Sequence, residues 1–186
     1  MVTQDKSNLK YVSFSGPSCS GKTTLIEHIS INPNFNDWYI VPSHTRLLKS
    51  EGFKINLNGD DKTQIKVLDI HHMNYLNYQC ENRSYISDRC ILDGLVYTEW
   101  LNYRRKVSTN VVNYAKAIFD AISEKITTIF YCNPVPWKDD GDRKLSLEDH
   151  IWICDKFQSY ASKLPNVVNL EGSIEKRLTI IDNHLK

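Results

Sequence analysis

The sequence predicts a single α/β domain, a parallel sheet with helices on both faces. Three observations carry that expectation. The chain of 186 residues, 41% hydrophobic and 24% charged, suits one globular domain with a small lid. Short β-rich runs alternate with stretches of helical spacing along its length, an order that gives a parallel sheet covered on both sides. The first of these runs ends in a glycine-rich turn that feeds a helix, and ligands in such sheets sit at the carboxyl ends of the strands.

The elements follow in order. "KYVSFSG", Lys10 to Gly16, reads as a strand running into glycine, and "KTTLIEHIS" from Lys22 carries Leu25, Ile26 and Ile29 at helical spacing. "WYIVP", Trp38 to Pro42, is a second strand stopped by proline. "RLLKSEGFKINLNGDD" gives a short helix and a polar connector, and residues 61–82 a long helix with Ile65, Leu68, His72, Tyr75 and Leu76 as its periodic positions. "SYISD" is a third strand, residues 92–103 and 109–122 are two further helices, and "ITTIFYC" is a fourth strand. "NPVPWKDDGDRK" is a loop by its prolines and glycine. Ser146 with Asp149 three residues on opens the next helix as a capping box, "NVVNL" is the fifth strand, and "SIEKRLTIIDNHL" closes the chain as a helix.

Composition narrows the partners. With 23 basic against 22 acidic residues, nothing marks a polyanion binder, and polymeric nucleic acid gains no support. The opening "MVTQDKSNLK" lacks an apolar signal core and no stretch approaches membrane-span length, so a cytoplasmic protein without a membrane partner is expected. Cysteines at 19, 80, 90, 132 and 154 form no CxxC pair, which favours thiols in a reducing compartment over disulfides or zinc. A homodimer is compatible with the sequence.

The chemistry concentrates in "GPSCSGKT", Gly16 to Thr23, which fits the P-loop pattern G-x-x-x-x-G-K-[ST] between a strand and a helix. Glycines open backbone conformations closed to other residues, and successive N–H groups then point inward as an anion nest at the positive end of the next helix. Gly16, Ser18, Cys19, Ser20, Gly21, Lys22, Thr23 and Thr24 are the candidate cradle for ATP. Lys22 would reach the outer phosphates and the Thr23 hydroxyl would ligate Mg²⁺. A GTPase is excluded: no aspartate stands three residues before any glycine, and no Asn-Lys pair exists. Asp88-Arg89 stands where the third strand ends, beside the cradle. The carboxylate can hold magnesium and orient the attacking group, and the arginine can neutralise charge on the transferring phosphoryl. The plainer reading of the pair is a solvated ion pair capping the following helix.

Together the P-loop, the strand-end Asp-Arg and "ILDGLVY" resemble P-loop kinases of the nucleoside, nucleotide and ribosylnicotinamide kinase group. "NPVPWKDDGDR" is similar to the P-W-x-x-D-G-x-R segment of the NadR-like AAA-type ATPase/kinase family, and "HTRLLKSEGFKIN" with "TQIKVLDIHH" resembles its phage members. The resemblance implies a P-loop NTPase fold of the nucleotide kinase type, a three-layer sandwich with strand order 2-3-1-4-5. It also implies ATP with Mg²⁺ as donor, and a lid over about residues 133–146 whose Arg143 closes on the phosphates. Closure there would exclude water, which competes with the acceptor as nucleophile.

For the acceptor, many members of the family have E-x-x-R after the second strand, whereas this chain has Ser43 in place of the acid and keeps Arg46. A nucleoside hydroxyl needs a base, while a monophosphate is already an anion and needs an arginine clamp. Arg46 with His44 suits the second task, although Arg46 could equally pair with an acid on its own helix. Gln64 and the aromatics up to Tyr78 suit the edge and face of a nucleobase, against the plainer reading of a packed helix face. The expected activity is a (deoxy)nucleoside monophosphate kinase. The alternatives are a nucleoside or ribosylnicotinamide kinase, a kinase of DNA or a modified base in it, and an ATP-binding regulator without an acceptor.

Overall fold

The computed structural model describes residues 8–134 and 145–185, with the backbone alone at Arg46. Five strands form one sheet: β1 (Tyr11–Ser15), β2 (Tyr39–Val41), β3 (Tyr85–Asp88), β4 (Thr128–Cys132) and β5 (Val167–Leu170). Every pairing is parallel and the order is β2-β3-β1-β4-β5, the order that the resemblance implies. Among the described residues seven α-helices lie around it: α1 (Lys22–Ser30), α2 (His44–Ser50), α3 (Asp61–Cys80), α4 (Ile91–Tyr103), α5 (Thr109–Ile122), α6 (Leu147–Ala161) and α7 (Ile174–Leu185).

The alternation of side chains along each strand assigns the layers. Val12 and Phe14 of β1, Ile86 of β3 and Phe130 of β4 pack on Leu25, Ile26 and Ile29 of α1 and Ile181 of α7. Tyr11, Tyr85, Ile129 and Tyr131 face the other way, onto Leu68, Leu95, Trp100, Ile118 and Phe157 of α3 to α6. Burying a side chain of this size contributes roughly 1.5–3 kcal/mol each, so the two cores together hold the sheet between its layers. The same alternation aims polar residues. Ser15 follows the Tyr11 phase towards α4, whereas Asp88 follows the Ile86 phase towards α1.

The ends of the helices carry the signals expected of them. Asp60 accepts a hydrogen bond from Thr63 N at the start of α3, and Ser146 accepts one from Asp149 N at the start of α6. Asp149 does more than cap. Its Oδ1 accepts from the Trp100 indole at 2.7 Å and from Arg104 Nε at 2.6 Å, joining α6 to α4. Trp100 is fully buried. None of the five cysteines is in a disulfide. Among the described residues no helix is long and apolar enough to cross a membrane.

Candidate active site

The turn after β1 is built from backbone conformations that its sequence allows. Gly16 has φ +139°, and a Cβ there would lie 2.6 Å from the Cys132 carbonyl oxygen at the end of β4, so the loop can only leave the sheet through a glycine. Cys19 and Gly21 follow with φ of 61° and 83°. The loop closes around Lys22, whose Nζ donates to Gly16 O at 2.8 Å, Pro17 O at 2.7 Å and Ser20 Oγ at 3.1 Å. Burial, and then the nearby Arg89, push the Lys22 ammonium down to about 8. A bound polyphosphate would supply the countercharge missing there.

At the tip of β3, Asp88 lies towards α1 and its Oδ2 is 3.5 Å from the Thr23 hydroxyl. Desolvation raises its pKa, against the lowering pull of Arg89 and Lys22. A hydroxyl and a carboxylate at the mouth of a phosphate loop are hard oxygen donors suited to Mg²⁺, which keeps several waters and shares phosphate oxygens. Thr23 and Asp88 therefore fit the ion. Among the described residues there is no cluster of three or more His, Cys, Asp or Glu that would form an all-protein metal cage.

Arg89 adopts φ +83°, unusual for a residue with a side chain. Three contacts hold it there. Its N–H donates to Phe14 O at 3.0 Å, its Nη1 donates to Asp93 Oδ1 at 3.0 Å, and its guanidinium lies 5.5 Å from the centre of the Tyr97 ring. Burial alone would lower its pKa, but Tyr97, Asp93 and Asp88 more than offset that and raise it. Asp93 is itself buried, and its Oδ2 accepts from Ser15 Oγ at 2.7 Å and from Cys90 N at 3.2 Å. One turn on, the Tyr97 hydroxyl accepts from Ser18 N at 3.1 Å in the phosphate loop. One face of α4 thus fixes the cradle and Arg89 relative to each other.

A cleft of about 1070 Å³ runs from the loop to α2 and α3. That volume exceeds the roughly 300–1,000 Å³ of an ordinary small-molecule pocket and leaves room for two ligands end to end. Residues 18–24, His44, Gln64, Asp88 and Arg89 all line it. Gly16 does not: it stands at the root of the loop. The Arg46 backbone is in the first turn of α2, and Arg143 lies outside the described residues. Gln64 Oε1 accepts from the Thr98 hydroxyl at 3.1 Å. His44 is half-buried, with Nε2 3.4 Å from Asn74 Nδ2, and desolvation lowers its pKa. It therefore offers a phosphate a hydrogen bond rather than a charge at neutral pH. His71 also lines the cleft. Its Nδ1 is buried without a hydrogen-bond partner, and burial pushes its pKa down to about 4.

A family model described as "AAA domain" matches residues 11–177. The chain belongs to that AAA-domain family. No curated protein matches it. Among solved structures, a deoxyadenosine kinase from M. mycoides with products dCMP and dCDP superposes with a TM-score of 0.65 at 12% identity, over 94% of this chain and 97% of that one. A thymidylate kinase from Ehrlichia chaffeensis gives 0.63 at 16% identity, over 95% and 98%. A NadR protein in complex with NR gives 0.69 at 11% identity, over 97% of this chain and 52% of that one. This AAA domain therefore has the fold of P-loop nucleoside and nucleotide kinases.

The AAA domain brings together what its sequence singled out at the donor end, Lys22, Thr23, Asp88 and Arg89. Sequence reasoning missed Asp93 and Tyr97. The signal was present in part, because Asp93 and Tyr97 are spaced by four and share one side of α4, with Arg89 four residues before Asp93. Cys90 and Asp93 also occupy the N-cap and third positions of a capping box.

Proposed function

We propose that the protein is an ATP-dependent kinase that transfers the γ-phosphoryl group of ATP to a (deoxy)nucleoside monophosphate. The observation that carries this reading is the placement of Arg89. It is fixed by Asp93 and Tyr97 in the cleft that the phosphate loop shares with α2 and α3, where a phosphoryl group would cross between donor and acceptor. The reaction forms a bond from an acceptor phosphate oxygen to the γ-phosphorus and breaks the bond to the β-phosphate oxygen, leaving ADP and a nucleoside diphosphate. Such an acceptor is already an anion and needs no base. That suits a chain with Ser43 at the head of α2 and with Asp88 directed at Thr23.

Each residue then has a task. The loop amides hold the donor phosphates, and Lys22 swings from its carbonyl partners onto them. Arg89 bears on the charge that spreads over the moving group. Gln64 and His71, both lining the cleft, meet the acceptor base. Mg²⁺, held by Thr23 and Asp88, would neutralise charge on the donor phosphates.

A second reading, a nucleoside acceptor, is favoured by one specific observation. The raised pKa of Asp88 makes its carboxylate a better proton acceptor for a hydroxyl. The structural likeness to a deoxyadenosine kinase and to NadR with NR agrees with it. One experiment separates the two. Nucleosides and their monophosphates are offered with Mg-ATP to the wild type and to Arg46→Ala. Loss of a charge-assisted pair should raise the monophosphate KM roughly ten- to a hundred-fold and leave the ATP KM unchanged. A wild type that phosphorylates only the nucleoside, with Arg46→Ala unaffected, refutes the monophosphate reading.

A further inference from the structure

The C-terminal helix sends one arginine into the back of the phosphate loop. Arg177 on α7 is only 5% exposed. Its Nη1 donates to Ser20 O at 2.7 Å, its Nη2 to Asn133 O at 3.3 Å and its Nε to Gly172 O at 3.1 Å. Those carbonyls belong to three separate segments: the phosphate loop, the end of β4 and the turn between β5 and α7. None of the ion pairs among the described residues involves Arg177. Among the described residues its hydrogen-bond partners are backbone carbonyls alone.

We infer that Arg177 is a positioning residue for phosphate binding: it locks the Ser20–Gly21 peptide in the orientation that turns the Gly21 N–H into the cradle. The carbonyl and the N–H of a trans peptide point in opposite directions. Gly21 lines the cleft and Arg177 does not, so the guanidinium grips the carbonyl from behind and the amide faces forward. The lock is needed because of Gly21. With φ +83° and no Cβ, this peptide can turn over at little steric cost, and reversed it would present a carbonyl oxygen to a phosphate. A cation on the carbonyl also polarises the peptide and strengthens its N–H as a donor. The planar fork of arginine reaches three carbonyls at once, which a lysine ammonium on a flexible stem cannot copy.

The inference rests on residues 16–24 being a phosphate cradle, so the test uses a ligand that reads the cradle alone. Magnesium pyrophosphate is titrated into ¹⁵N-labelled wild type, Arg177→Lys and Arg177→Met, with circular dichroism as the folding control. In the wild type the Gly21 amide and Arg177 Nε–H resonances should move together on binding. Arg177→Met should lose roughly ten- to a hundred-fold in pyrophosphate affinity, the range expected for a hydrogen bond to a charged group, and its Gly21 shift should shrink. Arg177→Lys should fall between. Deoxynucleoside monophosphate affinity, set by α2 and α3, should stay within twofold in both. Equal pyrophosphate affinity in a folded Arg177→Met overturns the inference and leaves the cradle standing. A wild type that binds no pyrophosphate overturns the cradle and the inference with it. Should both variants fail to fold, the wild type decides: a Gly21 amide unmoved by pyrophosphate overturns the lock, and the joint shift with Arg177 Nε–H supports it.

Discussion

Asp93→Asn tests whether α4 holds Arg89, the arginine proposed to act on the transferring group. The carboxylate is 2% exposed and takes three hydrogen bonds, from Ser15 Oγ at 2.7 Å, Arg89 Nη1 at 3.0 Å and Cys90 N at 3.2 Å. An asparagine keeps the shape but brings a donor. Turned one way its amide meets the Arg89 guanidinium, and turned the other it meets Cys90 N–H, so one donor always faces a donor. Removing one partner of a buried pair costs about 3–5 kcal/mol. Arg89 keeps 18% of its side chain exposed along the cleft and can rehydrate in part, which lowers the expected loss to about 2–3 kcal/mol. For a chain of this size that is a fall in Tm of about 4–12 °C. Freed from its anchor, Arg89 no longer bears on the transferring group. Loss of one such electrostatic contact lowers kcat by roughly 10²–10³, with a smaller change in the ATP KM. Urea unfolding followed by tryptophan fluorescence, alongside steady-state kinetics, reads both quantities. An unchanged urea midpoint with kcat within threefold of wild type would refute the positioning role of Asp93.

Lys22→Ala should abolish transfer in a folded protein. In the wild type, ATP binding needs the ammonium charged, so with its pKa at about 8 affinity should be full below that pH and fall about tenfold per unit above it, as isothermal titration from pH 7 to 9.5 would show. Asp88→Asn should lower kcat far more than ATP affinity; equal losses of both would make the residue structural. His71 titrates near 4 when folded and at 6.5 when free, so the unfolded chain binds the extra proton between those values. Stability is therefore complete above 6.5 and falls by up to roughly 3 kcal/mol as pH drops towards 4, and urea midpoints of His71→Phe should lack that part of the slope.

The layers and the cradle were legible because their signals are local. β1 alternates within five residues, the phosphate loop is contiguous, and the helix over Thr109–Ile122 has the bounds its periodicity predicts. The partnerships that make the site work are not local. Ser15 and Asp93 lie 78 residues apart in sequence, and Ser20 and Arg177 lie 157 apart. Nothing near either residue announces the pairing. In "ILDGLVYTEWL" the stripe is hidden by burial on nearly every side, since Ile91 to Val96, Thr98, Trp100 and Leu101 are all buried. With no polar face to set a phase, Asp93 reads as an interruption rather than as the hub. The bond from Trp100 to Asp149 is hidden for a related reason: Asp149 declares itself in the sequence only as a capping residue.

The parallel pairing of β1 with β3 sets Phe14 opposite Asp88, which keeps the carboxylate in step with the start of the phosphate loop. Length change is therefore tolerated unequally along the chain. One residue added inside β3 would turn Asp88 from the α1 layer to the α4 layer and strip Thr23 of its neighbour, because adjacent positions in a strand face opposite sides. Residues added in the polar connector between α2 and α3 meet no such parity. The part of the cleft beside α2 and α3 can therefore change size by insertion, while the part beside the phosphate loop can change only by substitution.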